Sequence, residues 1–347
     1  MFQKTSSELL QAFSHMTDQQ WFEVLVKSIK QPVINGVEMP GFPSDQFQTV
    51  IVGSSGEQAI REAYNFYREI KYYASNIGPR LNDDCRILDF GCGWGRIIRF
   101  FFKDVIPDNL YGVDVDPGMI DICRRLIKYG NYSVVNSQPP TGFPDESIDI
   151  VYAYSVFSHL AESVHLKWVE EFSRILKPGG ILIATTMARY FIEYCHSLRG
   201  KTHESAFHNA LANSFIDTDT ALSDYDSGKF LYSATGGGPS LPDSFYGITL
   251  IPRLYVEREW TKFLSFVDFI DDRTRLPQAL IVMQKPRSDL RDKAKGSEAI
   301  IEEKDAQIRN LEFLLRDREE TLNNIYNSRG WKLLRAYYKV RDKFLRR

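Results

Sequence analysis

The sequence has 347 residues, of which 43% are hydrophobic, 13% aromatic and 25% charged. This composition excludes an intrinsically disordered chain, a collagen-like chain and a disulfide scaffold, and the length suits one large domain or two ordinary ones. The net charge is −2, but residues 331–347 carry seven Lys or Arg against one acid, Asp342. A mildly acidic body with a short basic tail gives no sign of a nucleic-acid partner, and we expect none.

The N-terminal residues lack the positive charge and apolar run that mark a signal peptide, and no window has the ~18 apolar residues that span a bilayer. The four cysteines show no paired spacing, which favours reduced thiols in a reducing compartment. We therefore expect a cytoplasmic protein.

Residues 1–80 are predicted to form a helical region. Thr17 with Gln20 has the spacing of a capping box ahead of an apolar helix, and Ser54 with Glu57 repeats that spacing ahead of a longer one.

Residues 81–287 alternate short apolar runs with amphipathic helical patterns, which is typical of a parallel sheet covered on both faces. We predict a doubly wound, Rossmann-like α/β domain with seven strands, of which the last is antiparallel because the final two are joined by a short connection. Residues 189–250 interrupt this rhythm and are expected to be an insertion that caps the substrate. The predicted strands are Arg86–Phe90, Leu110–Asp114, Ser133–Val135, Ile148–Tyr154, Ile181–Thr185, Leu264–Ile270 and Ala279–Gln284.

Residues 288–347 change in composition. Ile301, Ile308, Leu315 and Leu322 recur every seven residues, which predicts a C-terminal coiled-coil helix over 288–328, with a single solvated helix as the alternative. The coiled coil would serve self-association or a partner. Residues 329–347 form a basic amphipathic tail with Trp and Tyr, which suits contact with an anionic membrane or docking on an acidic protein surface.

The most informative motif is the run RILDFGCGWGR, in which a strand ends in Asp89 and is followed by Gly91, Gly93 and Gly95. Alternating glycines let the backbone turn sharply and let a ligand approach the main chain at the carboxyl end of a strand. The spacing departs from the dinucleotide fingerprint, because the third glycine comes one residue early. A glycine-rich turn without a ligand is the alternative.

A second acidic motif follows in the run LYGVDVDPGMI. Asp114 ends the next predicted strand 19 positions after Gly95, where an acid can hold the two hydroxyls of a ribose. Asp116 precedes Pro117 and is either a further cofactor contact or the N-cap of the next helix.

The segment from about Asp84 to Lys285 resembles the class I S-adenosylmethionine-dependent methyltransferases. Four patterns match in order: LDFGCGWG, GVDVDP, PPTGFPDESIDIVYAYSVFSHL and RILKPGGILIATT. The resemblance implies that Asp89 holds the methionine amino group, that the three glycines pass beneath the methionyl and ribosyl groups, and that Asp114 takes the ribose hydroxyls. We also place Asp116 and Ser155 among the cofactor-binding candidates.

His159, just past the fourth strand, is the candidate general base if the acceptor is an alcohol. The alternative is a histidine that packs or forms a hydrogen bond within this loop. The histidines at 196, 203 and 208 have no zinc-ligand spacing, and no metal is expected.

The run YNSRGWKLLRAYYKVRDKF resembles C-terminal segments of bacterial glycosyltransferases and methyltransferases of cell-surface polysaccharide assembly. This resemblance implies O-methylation of a sugar or glycolipid precursor at the cytoplasmic face of the membrane. A small metabolite or a protein side chain is the alternative acceptor. The alternative to an enzyme is a non-catalytic scaffold, which binds the cofactor without turnover and acts through its coiled coil.

Overall fold

The computed structural model describes residues 6–203, 205–237 and 241–287, together with the single residues Gln307 and Leu315. Residues up to 287 belong to one compact unit. The predicted coiled coil and basic tail otherwise lie outside the described residues. In the described part of the chain, no helix has the length and apolarity needed to cross a membrane.

The N-terminal region is mainly helical, as predicted. It also contains a β-hairpin with two strands of two residues each, which the sequence did not indicate. Its elements are α1 (Ser6–Phe13), α2 (Asp18–Ser28), β1 (Val33–Ile34), β2 (Val37–Glu38), α3 (Asp45–Val52) and α4 (Gly56–Asn76).

The first predicted capping box is confirmed and the second is wrong. The Thr17 side chain accepts from the Gln20 amide at the start of α2, and the Gln20 side chain accepts from the Thr17 amide. Helix α4 has Ser55 rather than Ser54 as its N-cap, and no side chain caps it. Ser54 is buried instead.

The central part of the chain alternates strands with helices. Its elements are β3 (Ile87–Phe90), β4 (Leu110–Asp114), α5 (Pro117–Leu126), β5 (Asn131–Val134), β6 (Ile148–Ala153), α6 (Glu162–Ile175) and β7 (Leu176–Thr186). Between β3 and β4 the predicted helix is a 3₁₀ helix, Ile98–Lys103, rather than an α-helix.

The remaining elements belong to the insertion and to the end of the sheet. The insertion contains α7 (Tyr190–Ser197), α8 (Ala206–Ala212), α9 (Thr218–Asp226), β8 (Leu231–Ser233) and β9 (Ile248–Leu250). The chain returns to the sheet through α10 (Arg253–Glu259), β10 (Ser265–Ile270) and β11 (Ala279–Gln284).

The main sheet has seven strands in the order β10-β11-β7-β6-β3-β4-β5. Strands β3 to β7 pair in parallel, whereas β11 runs antiparallel to both β7 and β10. The seven-stranded, Rossmann-like sheet with its antiparallel last strand is therefore confirmed.

Alternate residues of the strands feed two apolar cores on opposite faces of the sheet. In β7, Ile181 and Ile183 join the core formed with the N-terminal helices, while Leu182 and Ala184 join the core beneath α6 and α10. The insertion has a third, smaller core of its own, which includes Ile192, Leu211 and Ile248. This arrangement fixes the carboxyl ends of the parallel strands between two packed layers.

Candidate functional site

The candidate site lies where the carboxyl ends of β3, β4 and β6 meet. Strand β3 is the central member, with β4 on one side and β6 on the other. The chain order reverses at this point, and such a switch point leaves a crevice outside the strand ends of an open α/β sheet.

The glycine loop after β3 is built on three left-handed residues, since φ is 76° at Gly91, 53° at Gly93 and 73° at Gly95. A Cβ atom added at Gly91 would lie 2.3 Å from Val156 Cγ2, and one added at Gly95 would lie 2.3 Å from Ile127 Cδ1. No atom lies within 4 Å of a Cβ added at Gly93. Gly91 and Gly95 are thus required by internal packing, while Gly93 faces open space that a ligand can occupy.

Strand β4 anchors this loop through the main chain. The amides of Gly91 and Cys92 both donate to the Val113 carbonyl, at 2.8 and 3.0 Å, and the Gly95 amide donates to the Cys92 carbonyl at 2.9 Å. The carbonyl of Gly93 accepts from the Cys123 thiol at 3.1 Å. The loop is therefore held rigid by its own neighbours.

Asp89 lies at the tip of β3 and is only 2% exposed. Its Oδ2 atom has no hydrogen-bond partner among the described residues, and neither has the hydroxyl of Tyr152, its register partner on β6. Burial raises the pKa of Asp89 to about 8, against the smaller opposing effect of the nearby Tyr152 hydroxyl. A buried carboxyl oxygen without a well-placed donor is costly unless a ligand completes it.

Asp114 connects the two acidic motifs. Its Oδ2 accepts from the Gly93 amide at 2.9 Å, and its Oδ1 accepts from the Asp116 amide at 3.0 Å. Burial raises its pKa. A carboxylate oxygen has two lone pairs, so each atom keeps capacity for one further donor.

Asp116 is the N-cap of α5, which confirms the structural alternative for this residue. Its Oδ1 accepts from the Gly118 amide at 2.7 Å, and Pro117 occupies the first helical position. The side chain is exposed. A contact between Asp116 and the cofactor stays a prediction.

Ser155 follows β6 with φ at 59°, a left-handed conformation that is uncommon for a residue with a side chain. A cycle of hydrogen bonds holds it there. The Ser155 amide donates to Thr185 Oγ1 at 2.8 Å, Thr185 donates to Gln278 Oε1 at 2.6 Å, and Gln278 Nε2 donates to Ser155 Oγ at 2.9 Å. Such strain is often found at functional sites.

The His159 side chain contacts the insertion, while the His159 amide donates to the Val156 carbonyl of its own loop at 2.9 Å. Its Nδ1 lies 2.8 Å from the Gly247 carbonyl, and its ring stacks on Tyr246 with centroids 4.7 Å apart. Because a carbonyl only accepts, Nδ1 carries the proton and Nε2 of the neutral ring is left unprotonated. Burial lowers the pKa of His159 to about 4.

Sequence analysis missed the residues of the insertion that reach this edge. The segment 245–249 pairs with the loop after β6, as in the bond from the Gly247 amide to the His159 carbonyl at 2.8 Å. Burial, with a contribution from the charge of Asp114, raises the pKa of Tyr246 to about 12. The only signal was the local run of glycine and aromatic residues, which does not specify a partner nearly 90 positions away.

The histidines of the insertion serve its own fold. His196 Nδ1 lies 3.0 Å from Thr218 Oγ1, and His203 Nε2 donates to the Leu198 carbonyl at 2.8 Å. Within the described ranges no group of three His, Cys, Asp or Glu side chains could hold a metal ion.

The residues at the strand ends fit a cationic nucleoside such as S-adenosylmethionine. The unpartnered Oδ2 of Asp89 suits an ammonium group, and the open space at Gly93 lies beside the remaining lone pairs of Asp114. Both acids stand at tips of neighbouring strands, on either side of one rigid loop.

Comparisons with known proteins agree with this geometry. Residues 88–184 match the family model described as a methyltransferase domain. Among curated relatives, the tRNA N(3)-cytidine methyltransferase of Gallus gallus is 27% identical over 160 residues, which cover 44% of this chain and 40% of that protein. The malonyl-[acyl-carrier protein] O-methyltransferase of Yersinia pestis is 25% identical over 157 residues, or 43% of this chain and 54% of that protein.

The matched segments thus span about half, or less, of these relatives. A solved structure of a protein from Pyrococcus horikoshii is 16% identical, with a TM-score of 0.45 and coverage of 70% of this chain and 96% of that one. A further relative, from Mycolicibacterium smegmatis, is named a probable S-adenosylmethionine-dependent methyltransferase and is 29% identical over 150 residues, or 39% of this chain and 51% of that protein. Residues 88–184 are thus similar to methyltransferase domains.

Proposed function

We propose that the protein transfers the methyl group of S-adenosylmethionine to a hydroxyl of a sugar or glycan precursor in cell-surface polysaccharide biosynthesis. The observation that carries the transferase activity is the rigid glycine loop between two carboxyl groups, one of which has an unpartnered oxygen. The resemblance of the C-terminal segment to enzymes of polysaccharide assembly supports the choice of acceptor.

In this proposal Asp89 binds the amino group of the cofactor and Asp114 binds its ribose. Asp114 also holds the Gly93 amide, so it links the ribose to the loop that lies under the methionyl group. Asp116 and Ser155 border the same pocket. When bound, S-adenosylmethionine supplies a methyl group on sulfur that is already activated for transfer.

His159 takes the proton of the acceptor hydroxyl through Nε2. Its pKa of about 4 makes the free imidazole a weak base. An alcohol oxygen becomes strongly acidic as it gains a methyl group, so a weak base is sufficient if the proton moves during or after transfer. The Gly247 carbonyl favours the tautomer that this role requires, because it keeps the proton of the neutral ring on Nδ1.

The insertion 189–250 caps the acceptor side of the cleft. Tyr246 stacks on His159 and lies near Asp114. The insertion therefore contacts the base and lies beside the cofactor pocket. Aromatic faces of this kind suit the apolar faces of sugar rings. Closing the cleft would exclude water, which competes with the acceptor for the methyl group.

The acceptor and the tail determine where the enzyme works. We place it at the cytoplasmic face of the membrane, with the basic tail in peripheral contact with anionic lipid. The predicted coiled coil mediates self-association or contact with a pathway partner. No nucleic acid takes part in this proposal.

A carboxylate of a small molecule is the second candidate acceptor. Relatives of this chain include a malonyl-[acyl-carrier protein] O-methyltransferase, a trans-aconitate 2-methyltransferase and a fatty-acid O-methyltransferase by name. A carboxylate is already deprotonated near neutral pH, so this reaction needs no general base. Dependence of the rate on His159 therefore separates the two candidates.

The deciding experiment offers labelled S-adenosylmethionine with a panel of nucleotide sugars, polysaccharide fragments, dicarboxylic acids and fatty acids. Mass spectrometry then locates the transferred methyl group. Methylation of a saccharide oxygen supports the proposal, and methylation of a carboxylate supports the second candidate. A chain that binds the cofactor but methylates none of these classes contradicts both.

A further inference from the structure

Arg99 is a fully buried cation, at 0% exposure, on the 3₁₀ helix that follows the glycine loop. Burial lowers its pKa to about 10, so it stays charged near neutral pH. Within the described residues it forms no ion pair with a carboxylate. A buried charge without a counter-ion is costly, and its contacts indicate what it does.

The guanidinium group holds the end of the glycine loop. Its Nε donates to the Gly95 carbonyl at 2.9 Å, and its carbon lies 4.9 Å from the centre of the Trp94 ring. Gly95 has φ at 73°. The hydrogen bond therefore fixes the orientation of the Gly95–Arg96 peptide, which follows a residue in the left-handed conformation.

The other side of Arg99 is covered by the N-terminal region. Its Nη2 donates to the Gly41 carbonyl at 3.2 Å, and the Phe42 ring centre lies 4.4 Å from the guanidinium carbon. Gly41 is itself seated against α5, because its amide donates to the Leu126 carbonyl at 2.7 Å. Arg99 thus contacts both Trp94 and Phe42, whose rings also contact each other with centroids 6.1 Å apart, and it connects two parts of the chain more than 50 residues apart.

These contacts differ from those of the neighbouring buried cation. Lys103, four residues on, is 4% exposed and pairs with Asp18 and Asp104 at 2.7 and 2.8 Å. Arg99 has carbonyls and aromatic faces as partners instead, and its Nη1 is buried without a partner among the described residues. Its contacts therefore serve to fix the main chain of the loop rather than to neutralise charge.

We infer that Arg99 is a positioning residue for cofactor binding, which holds the Gly95–Arg96 peptide at the end of the glycine loop in the binding conformation against Gly41 and Phe42. The inference rests on the proposed function, because it concerns the same pocket. It assigns the N-terminal region a part in cofactor binding through the loop. A loop held in advance loses less conformational entropy when the ligand binds.

The test compares Arg99→Met and Arg99→Lys with the wild-type chain. Calorimetry measures binding of S-adenosylhomocysteine well below the melting temperature, and kinetics measure KM for S-adenosylmethionine and for the acceptor. Arg99→Met is expected to weaken nucleoside binding about tenfold, because it removes a charged hydrogen bond to the loop. KM for the cofactor should rise while KM for the acceptor stays unchanged, and Arg99→Lys should recover part of the loss.

Two controls separate positioning from general destabilisation. Arg61→Met removes another guanidinium that stacks on an aromatic ring, 4.7 Å from Phe22, but on an exposed surface. Tyr67→Phe removes the half-buried hydroxyl of α4 that contacts Asp18 at the start of α2 and Asp104 after the 3₁₀ helix. Both controls should keep wild-type affinity for S-adenosylhomocysteine.

The inference is overturned if folded Arg99→Met binds S-adenosylhomocysteine as tightly as wild type, or loses no more affinity than Tyr67→Phe. If Arg99→Met does not fold, Phe42→Leu replaces it and should weaken binding about threefold by removing one aromatic face; unchanged affinity overturns the inference. A wild-type chain that does not bind the nucleoside contradicts the proposed function itself, and the inference fails with it.

Discussion

Two clusters of polar and charged side chains in this molecule are built in different ways. Where the N-terminal helices meet the sheet, Asp18 and Asp104 are paired with Lys71 and Lys103 at 2.7 to 3.0 Å. The single hydroxyl proton of Tyr67 is shared between the two acids, which both lie within hydrogen-bond distance. Every carboxylate of this interface network has a cationic partner, which is the usual arrangement for buried charge.

The strand ends that border the cofactor pocket are arranged differently. Asp89 has an Oδ2 atom without a partner, and the indole nitrogen of Trp94 and the hydroxyls of Tyr132 and Tyr152 are also buried without one among the described residues. The pKa directions differ accordingly. Burial raises the pKa of Asp89 to about 8, whereas hydrogen bonds from Lys103 and Lys71 outweigh burial and lower the pKa of Asp18.

The chain thus pairs the carboxylates that stabilise the fold and leaves one incomplete at the position where, in the proposed function, a cationic ligand binds. If this is correct, substitutions in the interface network change stability and substitutions at the strand ends change affinity. The two effects are measured separately.

The largest effect is expected for Asp89→Asn. The amide preserves the shape of the side chain but cannot offer a carboxylate to an ammonium group, so affinity for S-adenosylhomocysteine should fall about 100-fold. Calorimetry measures the affinity, and Asp104→Asn is the matched control because it changes the same group within the interface network. If Asp104→Asn loses as much affinity as Asp89→Asn, the distinction between the interface network and the strand ends is wrong.

Asp114→Ala is expected to lower nucleoside affinity by about tenfold or more, because it removes the ribose contact and frees the Gly93 amide. The same titration measures it. Asp116→Ala should cost helix stability instead, about 1 kcal/mol for loss of the N-cap, with little change in affinity. Unchanged binding by Asp114→Ala would remove Asp114 from the site.

His159→Gln is expected to lower kcat about 100-fold with KM for the cofactor unchanged, if the acceptor is a hydroxyl. A base must be neutral, and His159 is neutral above its pKa of about 4. Protonation of His159 should therefore cause no fall in the wild-type rate between pH 5 and 8. Steady-state kinetics across that range check both points, and a kcat equal to wild type would exclude His159 as the base.

Binding should also release protons near pH 7. The free protein holds Asp89 largely protonated below its pKa of about 8, and an ammonium ligand favours the charged carboxylate, so the proton leaves on binding. Affinity should then increase as the pH rises from 6 to 8. Titrations in buffers with different heats of ionisation measure the number of protons, and Asp89→Asn should abolish the release.

The smallest effect on function and the clearest on stability is expected for Asp18→Asn. The variant should lose about 2 kcal/mol of unfolding free energy at pH 7. The pKa of Asp18 is lower in the folded chain than in the unfolded chain. The extra unfolding free energy of the wild type over the variant is therefore complete above pH 4 and disappears as the pH falls through the folded pKa. Urea unfolding at pH 7 and pH 3 checks this, and wild-type affinity for the nucleoside is the control.

Local patterns predicted much of the fold and part of the site. The strand that ends in Asp114 has the predicted bounds, and the final antiparallel pair follows from its short connection. The sequence located the glycine loop but did not distinguish its three glycines. Gly91 and Gly95 differ from Gly93 because they pack against Val156 and Ile127, whose positions only the folded chain defines.

Contacts that depend on long sequence separation could not be predicted. The Gly247 carbonyl sets the tautomer of His159, and Phe42 covers Arg99 from the N-terminal region. No periodicity or spacing in the chain links such pairs, because each partner lies on a separately packed element. The second capping box failed for a local reason, since burial of Ser54 moved the helix start by one residue.

A crystal structure of the chain with S-adenosylhomocysteine tests the central claim most directly. The account predicts that the amino group of the ligand donates to Asp89 Oδ2, that the ribose hydroxyls donate to Asp114, and that the ligand passes over Gly93. A nucleoside bound away from these three residues, or an Asp89 carboxyl that keeps its unpartnered oxygen in the complex, would contradict it.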